Sequence, residues 1–162
     1  MARFSRYGNV YTRTTKREKD HRMDKKIIEL WDKNQEGLKK DIEMNIQEYK
    51  HYDYKDILKK IIEIVLNENR DRDSYDKGFN AEAITVIDDG DYQGTQVFIF
   101  PKDCYQPDDT EYIGTSVYYG SCSGCDTLQA AQDMDDGEEE FVRDIMTLSL
   151  HMVQKMKYIF SD

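Results

Sequence analysis

The hydrophobic pattern of this chain changes its period part-way along, and that change constrains the fold more than any other feature. Between residues 24 and 68 apolar side chains recur every three or four positions, whereas from residue 83 they alternate with polar ones. The first pattern lines one face of a helix and the second lines one face of a strand. Helices first and strands after imply an α+β fold, with helices stacked on an antiparallel sheet.

Residues 1–24 show little apolar periodicity and a Gly8-Asn9 turn signal, so a basic, flexible arm is expected over 1–23 and a single domain over 24–162. The domain divides into a helical layer, 24–68, and a sheet with a C-terminal helix, 81–160. In the helical layer Ile27, Ile28, Leu30 and Trp31 mark a short helix that Gly37 is expected to break. Leu38, Ile42, Ile46 and Tyr49 form the stripe of a second helix. Ile57, Leu58, Ile61, Ile62 and Val65 form that of a third, over Lys55–Glu68. The polar run Asn67–Ser74 marks the change of layer.

Three strands follow, at Ala83–Ile87, at Thr95–Phe100 before Pro101, and at Tyr112–Tyr119. Their short spacings favour an antiparallel meander. A long helix from about Glu138 to Phe160 is apolar around most of its circumference and is expected to lie between the sheet and the N-terminal helices.

One core can satisfy these patterns, because 162 residues of which 38% are hydrophobic and 12% aromatic carry enough apolar material despite 35% charged residues. No apolar run approaches the roughly 20 residues of a spanning helix, so no membrane is expected. Met1-Ala2-Arg3-Phe4-Ser5 lacks the apolar stretch of a secretory signal, and three cysteines cannot all pair with one another. A cytoplasmic location is the expectation.

Charge is distributed unevenly. Residues 1–26 hold nine basic side chains, among them Arg3, Arg6, Arg13, Lys16 and Arg17, against three acidic ones. Their net of +6 leaves −16 for the rest of a chain whose total is −10. Such an acidic body repels phosphates and favours basic partners, including surfaces that themselves bind nucleic acid. The basic arm is expected to contact RNA, DNA or an acidic patch of the partner. The same charge also serves solubility alone.

The densest local motif is Tyr118-Tyr119-Gly120-Ser121-Cys122-Ser123-Gly124-Cys125-Asp126-Thr127-Leu128-Gln129. It stands where a strand ends and a helix begins, with glycines for a tight turn and Asp126 or Thr127 as a cap. Helix-end amides there would lower a nearby thiol pKa. Three readings stay open: structural cysteines of a tight turn, half of a zinc site, or a redox pair. Zinc needs two more ligands, for which Cys104 and His151 are the candidates. The βαβ setting of thioredoxin-type redox motifs is absent. His151, on an apolar helix, reads more simply as a core histidine. The sequence shows no complete catalytic set, no GxGxxG and no GxxxxGK[ST], and its acidic runs lack the calcium-loop spacing.

Together with Gly94–Pro101 (GTQVFIFP) and Met146–Gln154 (MTLSLHMVQ), the Tyr119–Gln129 block resembles a family of uncharacterised proteins carried by bacteriophages and prophages. The likeness covers roughly residues 80–157 and brings no reaction with it. It implies a setting, the cytoplasm of a host cell, in which small acidic phage proteins bind host or defence machinery, sometimes by imitating nucleic-acid charge. The resulting expectation is a non-enzymatic, anti-CRISPR-like inhibitor of a nucleic-acid-handling complex. Its acidic contacts would come from Asp88, Asp89 and Asp91, from Asp108, Asp109 and Glu111, and from Asp133, Asp135, Asp136, Glu138, Glu139 and Glu140, with tyrosines nearby as anchors. No cofactor is expected unless zinc occupies the cysteine site.

Overall fold

The computed structural model describes residues 16–68, 77–133 and 137–159, with side chains in the first helix from residue 25 onward. The expected arm residues Arg3, Arg6 and Arg13 lie outside the described residues, as do the side chains of Lys16 and Arg17. Helix α1 spans Lys16–Met44, and the four-residue α2, Ile46–Tyr49, follows at Asn45. Ile27, Trp31, Asn34, Leu38 and Ile42 are buried along one stripe, continued by Ile46 and Tyr49. Gly37 does not break α1, contrary to expectation. A Cβ placed there would meet the Cγ2 of Ile64 at 3.3 Å, so the glycine lets the third helical segment approach the middle of α1. Close packing holds this residue helical against its own propensity.

Helix α3, Tyr54–Lys60, opens on Asp53 and Asp56, which cap each other's backbone N–H groups. It continues as a π-helical segment, Ile61–Leu66, in which Ile61, Ile62, Val65 and Leu66 are all buried. The wider turn keeps residues four and five apart on one face, which brings both apolar pairs to the core. Buried Asn34 donates from Nδ2 to the Val65 carbonyl at 2.7 Å and ties α1 to this segment. Asn67 then accepts from the Phe79 amide at 2.9 Å and donates to its carbonyl at 2.7 Å.

The architecture is α+β, but the sheet has four strands where three are expected. They run β1 (Thr85–Asp88), β2 (Gly94–Pro101), β3 (Tyr112–Tyr119) and β4 (Lys157–Tyr158), paired antiparallel in that order. Seven-residue α4, Thr127–Asp133, and α5, Glu138–Gln154, intervene between β3 and β4. The last helix is therefore 17 residues long and does not reach Phe160. Met156 and Ile159, which extend its apolar pattern, are used otherwise. Met156 is buried beyond the helix end, while the Ile159 amide donates to the Tyr112 carbonyl at 3.0 Å and its side chain lies over Gly114. Phe98 and Phe100 of β2 face Thr115 and Ile113 of β3 and all four are buried. The Thr115 hydroxyl donates to the Met152 carbonyl at 2.7 Å, fixing α5 against β3. Among the described residues no helix is long and apolar enough to cross a membrane.

Candidate functional site: a dithiol turn beside an open strand edge

Between β3 and α4 the chain reverses within Gly120–Asp126. The amides of Cys125 and Asp126 both donate to the Cys122 carbonyl at 2.9 Å, closing a tight turn. Gly120 is indispensable here, since a Cβ would stand 2.5 Å from the backbone carbonyl and the Sγ of Cys125. Asp126 is 7% exposed and holds the turn from below. Its Oδ1 accepts from the Gln129 amide at 2.9 Å, capping α4, and from the Tyr54 hydroxyl at 2.9 Å, while Oδ2 accepts from the Gly120 amide at 3.1 Å. The Tyr54 hydroxyl also accepts from the Leu128 amide at 3.3 Å. Burial raises the Tyr54 pKa, and the Asp126 carboxylate adds to the shift. Of the two capping candidates in the sequence, Asp126 is the one used.

Cys122 and Cys125 are exposed, on the tight turn that their own backbones close. Their sulfurs lie 3.1 Å apart, and Cys125 Sγ also stands 3.3 Å from the Cys122 carbonyl and 3.9 Å from Ser121 Oγ. The Cys125 pKa is lowered, first by the hydrogen bond from the Cys122 thiol and then by the adjacent backbone. The helix-dipole origin expected from the sequence does not apply, because Asp126 already caps the short α4.

Beside this turn runs a cleft of about 170 Å³, lined by Cys125 and Thr127, by Ser116, Val117 and Tyr118 of β3, by Leu148, His151, Met152 and Lys155, and by Tyr54. His151 is exposed in this wall and is not a core histidine. Cys104 lies elsewhere. It sits 3.6 Å from Glu111 Oε2, just before β3, whereas Cys122 follows the far end of that eight-residue strand. At about 3.3 Å per residue the strand separates them by more than 20 Å. The four expected zinc ligands Cys104, Cys122, Cys125 and His151 are thus not gathered, and no group of three or more metal-ligating side chains occurs among the described residues. Partial desolvation, followed by the Glu111 carboxylate, pushes the Cys104 thiol up.

The acidic candidates on the strands and their turns divide between the two ends of the sheet, and the other described ones lie on α4 and α5. Asp88 ends β1, beside the far end of β3, where it accepts from Gln96 Nε2 at 3.0 Å, the Tyr119 hydroxyl at 2.7 Å and the Gly90 amide at 3.0 Å. These bonds, Gln96 first, hold its carboxyl below the usual range, and Asp88 in turn pushes Tyr119 up to about 12. Asp89 accepts from the Thr95 amide at 2.6 Å, and Asp91 shares that turn. At the opposite end Asp109 and Glu111 belong to a single-turn helix that Asp108 caps. Glu111 accepts from the Asp108 amide at 2.9 Å and pairs with Lys102 at 3.6 Å. Asp133 bonds Ser123 of the cysteine turn, and Glu140 pairs with Arg143. Glu138 and Glu139 stand with Glu140 in the first turn of α5, where the helix dipole favours them. Asp135 and Asp136 lie outside the described residues. Most of these carboxylates therefore organise turns and helix ends. Beside them stand exposed aromatic side chains, Tyr92 at 85%, Tyr105 at 91% and Tyr118 at 55% exposure.

Sequence reasoning missed Tyr54, Ser116 and Lys155. The four-residue spacing of His151 and Lys155 puts them on one helix face and was legible in principle. Tyr54 lies 72 residues from its partner Asp126, and no local pattern marks it. Comparisons of the chain with protein-family models, with curated proteins and with solved structures gave no match.

Proposed function

We propose that the protein works through Cys122 and Cys125 as a reversible dithiol. The observation that supports this is the pair of exposed sulfurs 3.1 Å apart on a turn anchored by a buried carboxylate. A thiolate is the nucleophile in disulfide exchange, and the lowered Cys125 pKa increases its thiolate fraction at neutral pH. Cys125 attacks one sulfur of a partner disulfide and expels the other as a thiol. Cys122 then attacks the Cys125 sulfur of the mixed disulfide and releases the second partner thiol. Two electrons and two protons pass from the pair to the partner. Equilibrating the full chain in glutathione buffers of graded redox ratio, followed by mass spectrometry, should show reversible loss of two hydrogens localised to Cys122 and Cys125, with Cys104 free. Oxidation that involves all three thiols without preference would remove the proposal.

A second reading keeps the acidic body as a binding surface for a basic, nucleic-acid-handling partner of a phage's host. What favours it is an exposed tyrosine near two of the three acidic groups, Tyr92 beside Asp91 and Tyr105 near Asp108, since aromatic anchors supply the desolvated contact that carboxylates lack. Association by this surface should weaken steeply as salt rises, because exposed charges are screened beyond about 8 Å at physiological ionic strength. Pull-down from host cells at low and high salt, with nucleic acid as competitor, is the test. Capture indifferent to both would remove the charge reading.

A further inference from the structure

We propose that the outer edge of β3 beside the dithiol docks an extended, cysteine-bearing segment of a partner protein, which adds to the sheet as a strand and presents its disulfide to Cys125. This deepens the dithiol reading and rests on it.

Strand polarity carries the first step. Tyr112 and Gly114 turn their backbone groups toward β4, since Tyr112 accepts from the Ile159 amide and Gly114 pairs with Lys157. Backbone direction alternates along a strand, so Ser116 and Tyr118 turn the same way. Yet β4 pairs only with Ile113 and Gly114, and among the described residues no strand pairs with Ser116 or Tyr118 on that side. The Ser116 carbonyl instead takes the Lys155 ammonium at a long 3.4 Å. An extended chain seated in the cleft beside Ser116 and Tyr118, where the Lys155 side chain now reaches, meets these groups as an antiparallel or parallel neighbour.

The second step is that the same cleft holds the chemistry. Ser116, Tyr118 and Cys125 line it together, so a strand paired to the edge carries its side chains past the Cys125 thiol. At about 170 Å³ the cleft is smaller than the roughly 300 Å³ at which small-molecule sites begin, and it suits one inserted side chain of a longer segment. Charge selects further. Lys155 and His151 form the opposite wall, and when an incoming amide replaces Lys155 on the Ser116 carbonyl the ammonium is freed for a carboxylate. The segment that fits is extended, carries a cysteine in a disulfide and has an acidic neighbour.

The test uses the full chain with Cys122→Ser, which stops the reaction at the mixed disulfide on Cys125. Three probes are compared. They are oxidised glutathione, a short threonine- and valine-rich peptide with one glutamate whose cysteine carries a thionitrobenzoate leaving group, and the same peptide N-methylated on alternate amides so that it cannot pair with a strand. A fourth probe, the mixed disulfide of glutathione with thionitrobenzoate, corrects for the leaving group. The parent peptide should react at least about tenfold faster than the N-methylated one, which cannot form the edge hydrogen bonds. In the trapped complex the Ser116 and Tyr118 amides should gain protection from hydrogen exchange. Equal rates for parent and N-methylated peptides, with Cys125 modified by both, overturn strand docking and leave the dithiol in place. No adduct on Cys125 with any probe overturns the dithiol reading and this proposal with it.

Discussion

Asp126 joins three pieces of chain with one carboxylate, accepting from Tyr54, Gly120 and Gln129. Asp126→Ala removes a helix cap and leaves buried donors unmet, so it should cost about 3 kcal/mol in chemical denaturation. Replacing both Cys122 and Cys125 by serine removes only exposed sulfur and should change stability by less than about 1 kcal/mol. The exposed thiols also differ from each other. Because the Cys125 pKa is lowered and that of Cys104 raised, alkylation of Cys125 should gain speed at a lower pH and outrun Cys104 throughout the neutral range, as peptide mapping after brief iodoacetamide treatment will show. At this scale the turn, its glycines and its capping aspartate were legible, because they are local. The hydroxyl of Tyr54 and the exposure of His151 were not, because tertiary packing alone decides them.

At the scale of elements, a buried polar contact ties α1 to the π-helical segment inside an otherwise apolar interface. Asn34 supplies the Val65 carbonyl with its donor, and Asn34→Ala leaves that buried oxygen without it, at a cost of about 1–3 kcal/mol measurable by urea unfolding. Tyr112–Tyr119 is the strand the sequence predicts at the observed limits, and β2 differs by one residue at each end, since alternation and turn residues bound both. Helix α1 was misread at Gly37, where a glycine ordinarily signals a break but here permits close approach of Ile64. Strand β4 was invisible because two residues cannot display a period, and the apolar residues that flank it continue the rhythm of α5.

For the whole molecule, the alternation of periods foretold a helical layer and a sheet, whereas the meeting of one with the other across the cysteine turn had no signature in the sequence. That meeting is close. Tyr54 bonds Asp126, and Gln132 of α4 donates to the carbonyls of Tyr49 and Tyr52 at 3.1 and 2.7 Å, so contacts 72 to 83 residues apart bind the turn and α4 to the end of α2 and the start of α3. A glycine-containing turn followed by a helix of seven residues would by itself open and close readily, since so short a helix is marginal in water. Tied in this way it belongs to the same cooperative unit as α3, and its amides should exchange with solvent only when that unit opens. Native-state hydrogen exchange of the Gly120, Asp126 and Gln129 amides should therefore follow the denaturant dependence of the α3 amides, and in Tyr54→Phe it should separate from it. The two sulfurs then ride on a part of the protein that does not breathe independently, so the accessibility of the pair is set by its position on the surface and by nothing that the turn does on its own.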